Sequence, residues 1–231
     1  MIVTIHQPDF LPWLGFFDRL QKCDLFIVLD DVQFLRRGWH HRDKIKTPNG
    51  IKWLTVPVLK KGKYKQNINE VLIDNSVNWR KKFLGLISNA YIKAPNFLFI
   101  YHSIEKIIAK NHHKMIDLNI DFLQFCTDIL DIKKKIIFSS SLKSNLKASE
   151  KIVYILKEVG GKYYLTGSGA SNYLDENLFK RENIEVLWHQ YNYHYYPQLH
   201  GNKFIEKLSI IDFFMMVSCP KEVFLRKLYY V

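Results

Sequence analysis

The chain has 231 residues, 48% of them hydrophobic and 15% aromatic, and 34 Lys and Arg against 22 Asp and Glu give it a formal charge of +12. That composition excludes a disordered or fibrous chain, suits one large domain, and makes a polyanion the expected class of partner unless the lysines form only a solvated face. Cys23, Cys126 and Cys219 show no CxxC spacing, which argues against a disulfide framework or a zinc site, and no run approaches the ~18 apolar residues of a membrane span. The expectation is a protein of the reducing cytoplasm whose mature form starts at Met1.

Ile2-Val3-Thr4-Ile5 has the residue types of a short buried strand, and residues 14–20 open a helix. The intervening stretch HQPDFLPWLGFF, residues 6–17, therefore puts His6 and Gln7 where a strand ends and a loop begins. Ligands of open α/β sheets bind at such ends. Packing is the alternative: Pro8 and Pro12 stiffen a turn, Phe10, Trp13, Phe16 and Phe17 join a core, and His6 is a satisfied core histidine. Residues 25–29 form a second apolar strand that ends at Asp30 and Asp31 and completes a βαβ unit.

Thr47-Pro48-Asn49-Gly50 is a turn signal between residues 42–46 and the strand-like run 53–58, and a basic loop, 60–65, closes this hairpin-like pairing. From residue 77 to about 130 the apolar residues recur at helical spacing, as in Trp79, Phe83, Leu86 and Ile87, which predicts covering helices or a helical subdomain. Residues 136–138 read as a strand, 139–144 as a polar loop, 149–159 as a helix stopped by Gly160-Gly161, and 163–166 as a further strand. The predicted fold is α/β: a Rossmann-like sheet with an N-terminal βαβ unit, covering helices and a mainly helical middle segment, in one domain over residues 1–231.

Three further clusters carry candidate chemistry. In DDVQFLRRGWHHRDKIK, residues 30–46, the arginine forks suit phosphate oxygens, while Asp30 and Asp31 could hold an amine, a metal or one of those arginines; a structural salt-bridge network explains the same residues. His40 and His41, adjacent in an extended segment, point to opposite faces and do not make a metal pair, and His112 and His113 read as exposed surface on a lysine-flanked helix. Gly167-Ser168-Gly169-Ala170-Ser171 lets backbone approach a phosphate or carboxylate, or is an ordinary strand-to-helix turn. The run from Trp188 through His189 to Gly201 interleaves aromatics with histidines and contains no Lys or Arg, so it fits a small-molecule pocket better than single-stranded nucleic acid, or else is a tyrosine-rich strand packed on the core. GxSxG, HExxH, CxxC and kinase signatures are absent.

Taken in order, HQPDFLPWLGFFDRL, DDVQFLRRGWHHRDKIK, IKWLTVPV, YYLTGSGASNYLDENLF, YPQLHG and LSIIDFF span nearly the whole chain and resemble the WbqC-like family, associated with bacterial O-antigen and other surface-polysaccharide gene clusters. The resemblance implies a cytoplasmic enzyme acting on a nucleotide-linked sugar, with N-acyl or aminoacyl transfer to an amino group of that sugar as the expected chemistry. In such a reaction His6 takes a proton from the attacking amine, Asp30 or Asp31 orients it, and Arg37 and Arg42 hold the diphosphate. Gln7, Trp13, Gln33, Trp39 and Lys46 are further candidate substrate contacts. Gly167, Ser168, Gly169, Tyr173, His189 and Tyr196 would line the sugar or base pocket.

No tightly bound cofactor is expected, and the acyl donor would be a thioester of coenzyme A or of an acidic acyl carrier protein, which the +12 charge complements. Nucleic acid and a membrane span are not expected. Two alternatives remain open. The first 60 residues are also similar to nucleotidylyltransferases, although the tetrad from His6 to Asp9 lacks the glycine and second histidine of their HxGH-type turn. The other is a non-enzymatic basic module that binds nucleic acid or a partner protein.

Overall fold

Four buried apolar residues in a row, as in Leu25-Phe26-Ile27-Val28, suit a parallel strand covered on both faces. The computed structural model, which describes residues 1–171, 174–193 and 195–226, places that run inside an α/β fold with a parallel sheet. Its strands, in chain order, are β1 (Ile2–His6), β2 (Leu25–Val28), β3 (Arg42–Thr47), β4 (Gly50–Thr55), β5 (Lys135–Phe138), β6 (Tyr163–Gly167) and β7 (Glu185–His189). The α-helices are α1 (Leu14–Lys22), α2 (Trp79–Tyr91), α3 (Phe97–Ala109), α4 (Met115–Leu130), α5 (Ala148–Glu158), α6 (Glu176–Arg181), α7 (Ile210–Met216) and α8 (Pro220–Arg226). Five strands form the sheet in the order β5-β2-β1-β6-β7, all pairings parallel, a Rossmann-like arrangement; β3 and β4 form a separate antiparallel pair.

The chain divides into two compact units, and the opening motif is cut between them. The sheet unit comprises Met1–Pro8, Gly15–Val32 and Ile132–Asn192; the hairpin unit comprises Asp9–Leu14, Gln33–Asp131 and Tyr193–Val231. In the sheet unit the two-residue period of the strands sorts side chains between faces. Val3, Ile5, Leu25 and Ile27 pack with Ile152, Ile155 and Leu156 of α5 and Phe179 of α6. Phe26 points the other way, where Phe16 of α1 meets it edge-on at 5.7 Å. Each such fully buried side chain contributes about 1.5–3 kcal/mol. After α5, Gly160 (φ +70°) turns the chain back, and Gly161 lies so close to β1 that a Cβ there would stand 2.7 Å from Val3 Cγ2.

The hairpin unit carries β3 and β4, paired from Arg42 opposite Thr55 to Thr47 opposite Gly50, with helices α2, α3, α4, α7 and α8. The turn falls at the predicted tetrad, but the second strand starts at Gly50 and ends at Thr55, three residues earlier than the apolar run alone indicates. Pro57 has no N–H to continue the ladder. Phe83, Ile87, Ile104, Leu118 and Phe122 of the helical segment are buried, as their spacing predicts. His112 and His113 lie between α3 and α4 rather than on a helix; His113 is exposed as expected, but His112 is half-buried with its Nε2 2.8 Å from Asp121 Oδ2. For the tyrosine-rich run, the strand alternative is corrected: β7 stops at His189, and no strand follows it among the described residues up to 201.

Candidate active site at the carboxyl edge of the parallel sheet

From β1 the chain steps outward to β2 and β5 on one side of the sheet, then returns to place β6 and β7 on the other. The order therefore reverses between β1 and β6, where doubly wound sheets open their ligand crevice. Backbone pairing across this junction is confined to Ile2 and Val3 opposite Tyr163 and Tyr164. Beyond it the Thr4 hydroxyl donates to the Leu165 carbonyl at 2.6 Å, and the strands run on to His6 and Gly167 without a further ladder. On the outer side Gly167 lies opposite His189.

The ring of His6 is fixed on two sides. Its Nδ1 lies 2.8 Å from the Gln7 carbonyl, which can only accept, so Nδ1 carries a proton. Phe16 meets the ring edge-on at 5.2 Å. At the end of β7, His189 donates from Nε2 to Asp18 Oδ2 at 2.6 Å, which puts its lone pair on Nδ1. Asp18, on α1, is 2% exposed, and Lys22 lies 3.1 Å from the same oxygen. Burial alone would raise its pKa, but the bonds from His189 and Lys22 outweigh that and hold the carboxyl below its ordinary value.

Arg19, the next residue of α1, is 8% exposed and brings a cation to the same edge. A Cβ on Gly167 would stand 2.8 Å from Arg19 Nη1, so the guanidinium fills the space that the glycine leaves. Ser168 and Gly169, exposed in the 3-10 turn Ser168–Ala170, continue the edge beyond β6. Predicted Tyr173 lies outside the described residues, as does His194 of the tyrosine-rich run.

On the far side of β1, Asp30 and Asp31 anchor the ends of β2 and β5. Asp30 accepts from the Ser140 amide at 2.9 Å and the Ser140 hydroxyl at 2.7 Å. Asp31 pairs with the buried Lys151 at 2.7 Å and accepts a short bond from the Ser139 hydroxyl. The cation that the sequence looks for beside these acids is thus, within this unit, a lysine of α5.

The remaining predicted contacts belong to the hairpin unit. Phe10 is core, edge-on to Phe83 and Phe122, and Trp13 stacks on Tyr193 at 5.7 Å, so the packing alternative describes the aromatic half of the opening motif. Trp39 lies 5.3 Å from Trp53, and Arg42 sits over Trp53 at 4.2 Å while donating to the carbonyl of the exposed Arg37 at 2.7 Å. Gln33 donates to the Tyr64 carbonyl at 3.1 Å. Lys46 is buried and donates to the carbonyls of Gly201 and Lys203, while Tyr196 donates to the buried Asp212 at 3.0 Å beside Tyr91 at 2.8 Å. The structure therefore brings His6, Gly167 and His189 to one sheet edge and Trp39 and Arg42 to one hairpin face.

Asp18 and Arg19 are the residues of this candidate site that sequence reasoning misses. They look like the polar stripe of a surface helix, and only the burial of α1 through Leu20 shows otherwise. The available signal is the helix itself: an adjacent acid and base inside the apolar run LGFFDRL.

Comparison with known proteins gives three findings. The sequence model of the WbqC-like protein family matches residues 7–223. The chain is 32% identical over 226 residues to the uncharacterized protein Rv1507c of Mycobacterium tuberculosis, covering 97% of each chain. No solved structure matches. Among the described residues, no helix is long and apolar enough to cross a membrane, and no three His, Cys, Asp or Glu side chains gather as a metal site.

Proposed function

The chain belongs to the WbqC-like protein family, and from that premise we propose that it is an enzyme of bacterial surface-polysaccharide biosynthesis, transferring an acyl or aminoacyl group from a thioester to the amino group of a nucleotide-linked amino sugar. Family membership supports the polysaccharide setting. The chemistry rests on one observation: a histidine at the end of a sheet strand, held by a buried carboxylate 2.6 Å away.

In this reading the sugar amine attacks the thioester carbonyl, and His189 Nδ1 takes the proton that the nitrogen sheds as the C–N bond forms. The resulting imidazolium is stabilised by Asp18, which is ionised because its pKa lies below the usual carboxylate value. The C–S bond then breaks, the proton passes to the leaving thiolate, and an amide and a free thiol result. His6, at the end of β1 on the same sheet edge, is a further proposed substrate contact. Arg19 supplies positive charge for the diphosphate.

The test is mass spectrometry of a dTDP-amino sugar incubated with the protein and an acyl thioester of coenzyme A or of an acyl carrier protein. The product should gain the acyl mass, and His189→Ala should lower its rate of formation by about 100-fold or more. Absence of product with both donors, or full activity in His189→Ala, would sink the reading. A rise in melting temperature with oligonucleotides but not with nucleotide sugars would point to the binding-module alternative.

A further inference from the structure

Residues 33–66 carry ten lysines and arginines against a single carboxylate, Asp43, and that carboxylate is buried. Among the described residues no acid pairs with Arg36, Arg42 or Lys60, and these cations crowd each other. The Lys60 ammonium is held below its ordinary pKa by partial burial and then by Arg42 and Arg36. Its Nζ stands 3.0 Å from His41 Nε2, and His41 is driven down to about 3 by burial, Lys60, Arg42 and His40. Clustered like charges destabilise a free surface and are relieved by an anionic partner.

The same segment exposes apolar side chains among the cations: Leu35 is 55% exposed, Ile51 47%, Trp53 43% and Leu59 40%, with Ile51 and Trp53 on one side of β4. We propose that this face, formed by β4 and the loops around residues 35–39 and 59–65, is the docking surface for an acidic protein that surrounds a small apolar patch with carboxylates. Resting on the transferase reading above, that protein is the carrier of the thioester.

Two features favour protein over nucleic acid. Arg36 lies over Tyr64 at 3.8 Å, Arg42 over Trp53 at 4.2 Å and Lys44 over Trp39 at 5.3 Å, so one face of each ring is already taken by a cation and closed to a stacking base. Leu35, Ile51 and Leu59 have no role against a phosphate backbone, whereas a protein interface buries such groups inside a charged rim. Tryptophan and arginine are also the residues that dominate protein interfaces energetically.

The experiment measures binding of the full chain to a purified acidic holo-acyl carrier protein by calorimetry, with oligothymidylate as the competing probe. The expected result is roughly micromolar affinity for the carrier that weakens at least tenfold between about 50 and about 300 mM salt. The double variant Lys44→Glu/Lys61→Glu, which reverses a charge beside Trp53 and one in the 59–65 loop, and the single variant Trp53→Ala should each weaken it about tenfold or more, with circular dichroism showing that both remain folded. Carrier binding that is absent, or unchanged in the charge-reversal variant, overturns the proposal, as does tighter binding of oligothymidylate. The two readings fail separately: docking without acyl transfer removes the transferase and keeps the surface, whereas transfer from coenzyme A thioester without docking removes the surface and keeps the transferase.

Discussion

Asp18 in the sheet unit and Asp43 in the hairpin unit are both almost fully buried, at 2% and 3% exposure, yet their acidities move in opposite directions. Burial raises both. Asp18 is returned below its ordinary value by a hydrogen bond from His189 and by Lys22. Asp43 has the Lys44 amide at 2.6 Å but also faces Asp9, and it is pushed up to about 8. The lesson is that burial sets the size of the electrostatic problem and the partners decide its sign. An ionised Asp18 can support a developing imidazolium, whereas a protonated Asp43 can only donate a proton or a hydrogen bond.

The largest expected effect comes from breaking the first member of this pair. Asp18→Asn keeps the shape but removes the charge, and should slow acyl transfer by about 100- to 10,000-fold. The pH–rate profile must change with it, which loss of packing alone would not produce; an unaltered profile would make Asp18 a purely structural residue.

Asp43 should govern stability near neutrality. An acid whose pKa rises on folding binds its proton more tightly in the folded state, so stability falls as pH climbs from the unfolded value of 3.8 to about 8. His41, whose pKa falls to about 3 on folding, has the opposite slope, but only below its unfolded value of 6.5. Between pH 6.5 and 8 the protein should therefore lose about 2 kcal/mol of stability, at about 1.4 kcal/mol per pH unit, and Asp43→Asn should flatten that loss. Urea unfolding at several pH values measures it, and equal slopes in the two proteins would refute the assignment.

A smaller effect is expected at the hairpin unit's other buried acid, Asp212, whose pKa is also raised by burial. Tyr91→Phe removes the 2.8 Å bond to it and leaves Tyr196 in place, so stability should drop by about 1–2 kcal/mol. No change would mean that the Asp212 carboxyl loses nothing with that donor. The smallest stability change is predicted for Gly167→Ala, under about 1 kcal/mol, because the new methyl meets the end of a flexible arginine. By displacing that guanidinium it should raise KM for the nucleotide sugar severalfold while sparing kcat. An unchanged KM would place Arg19 away from the substrate.

The legibility of the sequence follows the same division. His6 and Gly167 are readable as strand ends because each closes a run with the residue types of a buried strand, and such ends are where open α/β sheets bind ligands. His189 is readable as a residue but not as a site, since the strand before it, Glu-Val-Leu-Trp-His, is half-buried and carries no strong period. Asp30 and Asp31 are legible as a strand-end pair, but not the serines and the lysine that hold them, which lie more than 100 residues away. Phe10 and Trp13 could be assigned to packing or to binding until their neighbours were known.

By itself the sequence determines the α/β class, the first βαβ unit, the hairpin turn, the helical middle segment and the excess positive charge, because periodicity, turn residues and composition are local properties. Tertiary structure alone decides which strands adjoin, that the order reverses between β1 and β6, and that Asp18 reaches His189 across 171 positions of chain. Those are outcomes of packing between distant segments. A polar residue on a helix carries no local mark of whether it will meet water or the one partner that fixes its charge.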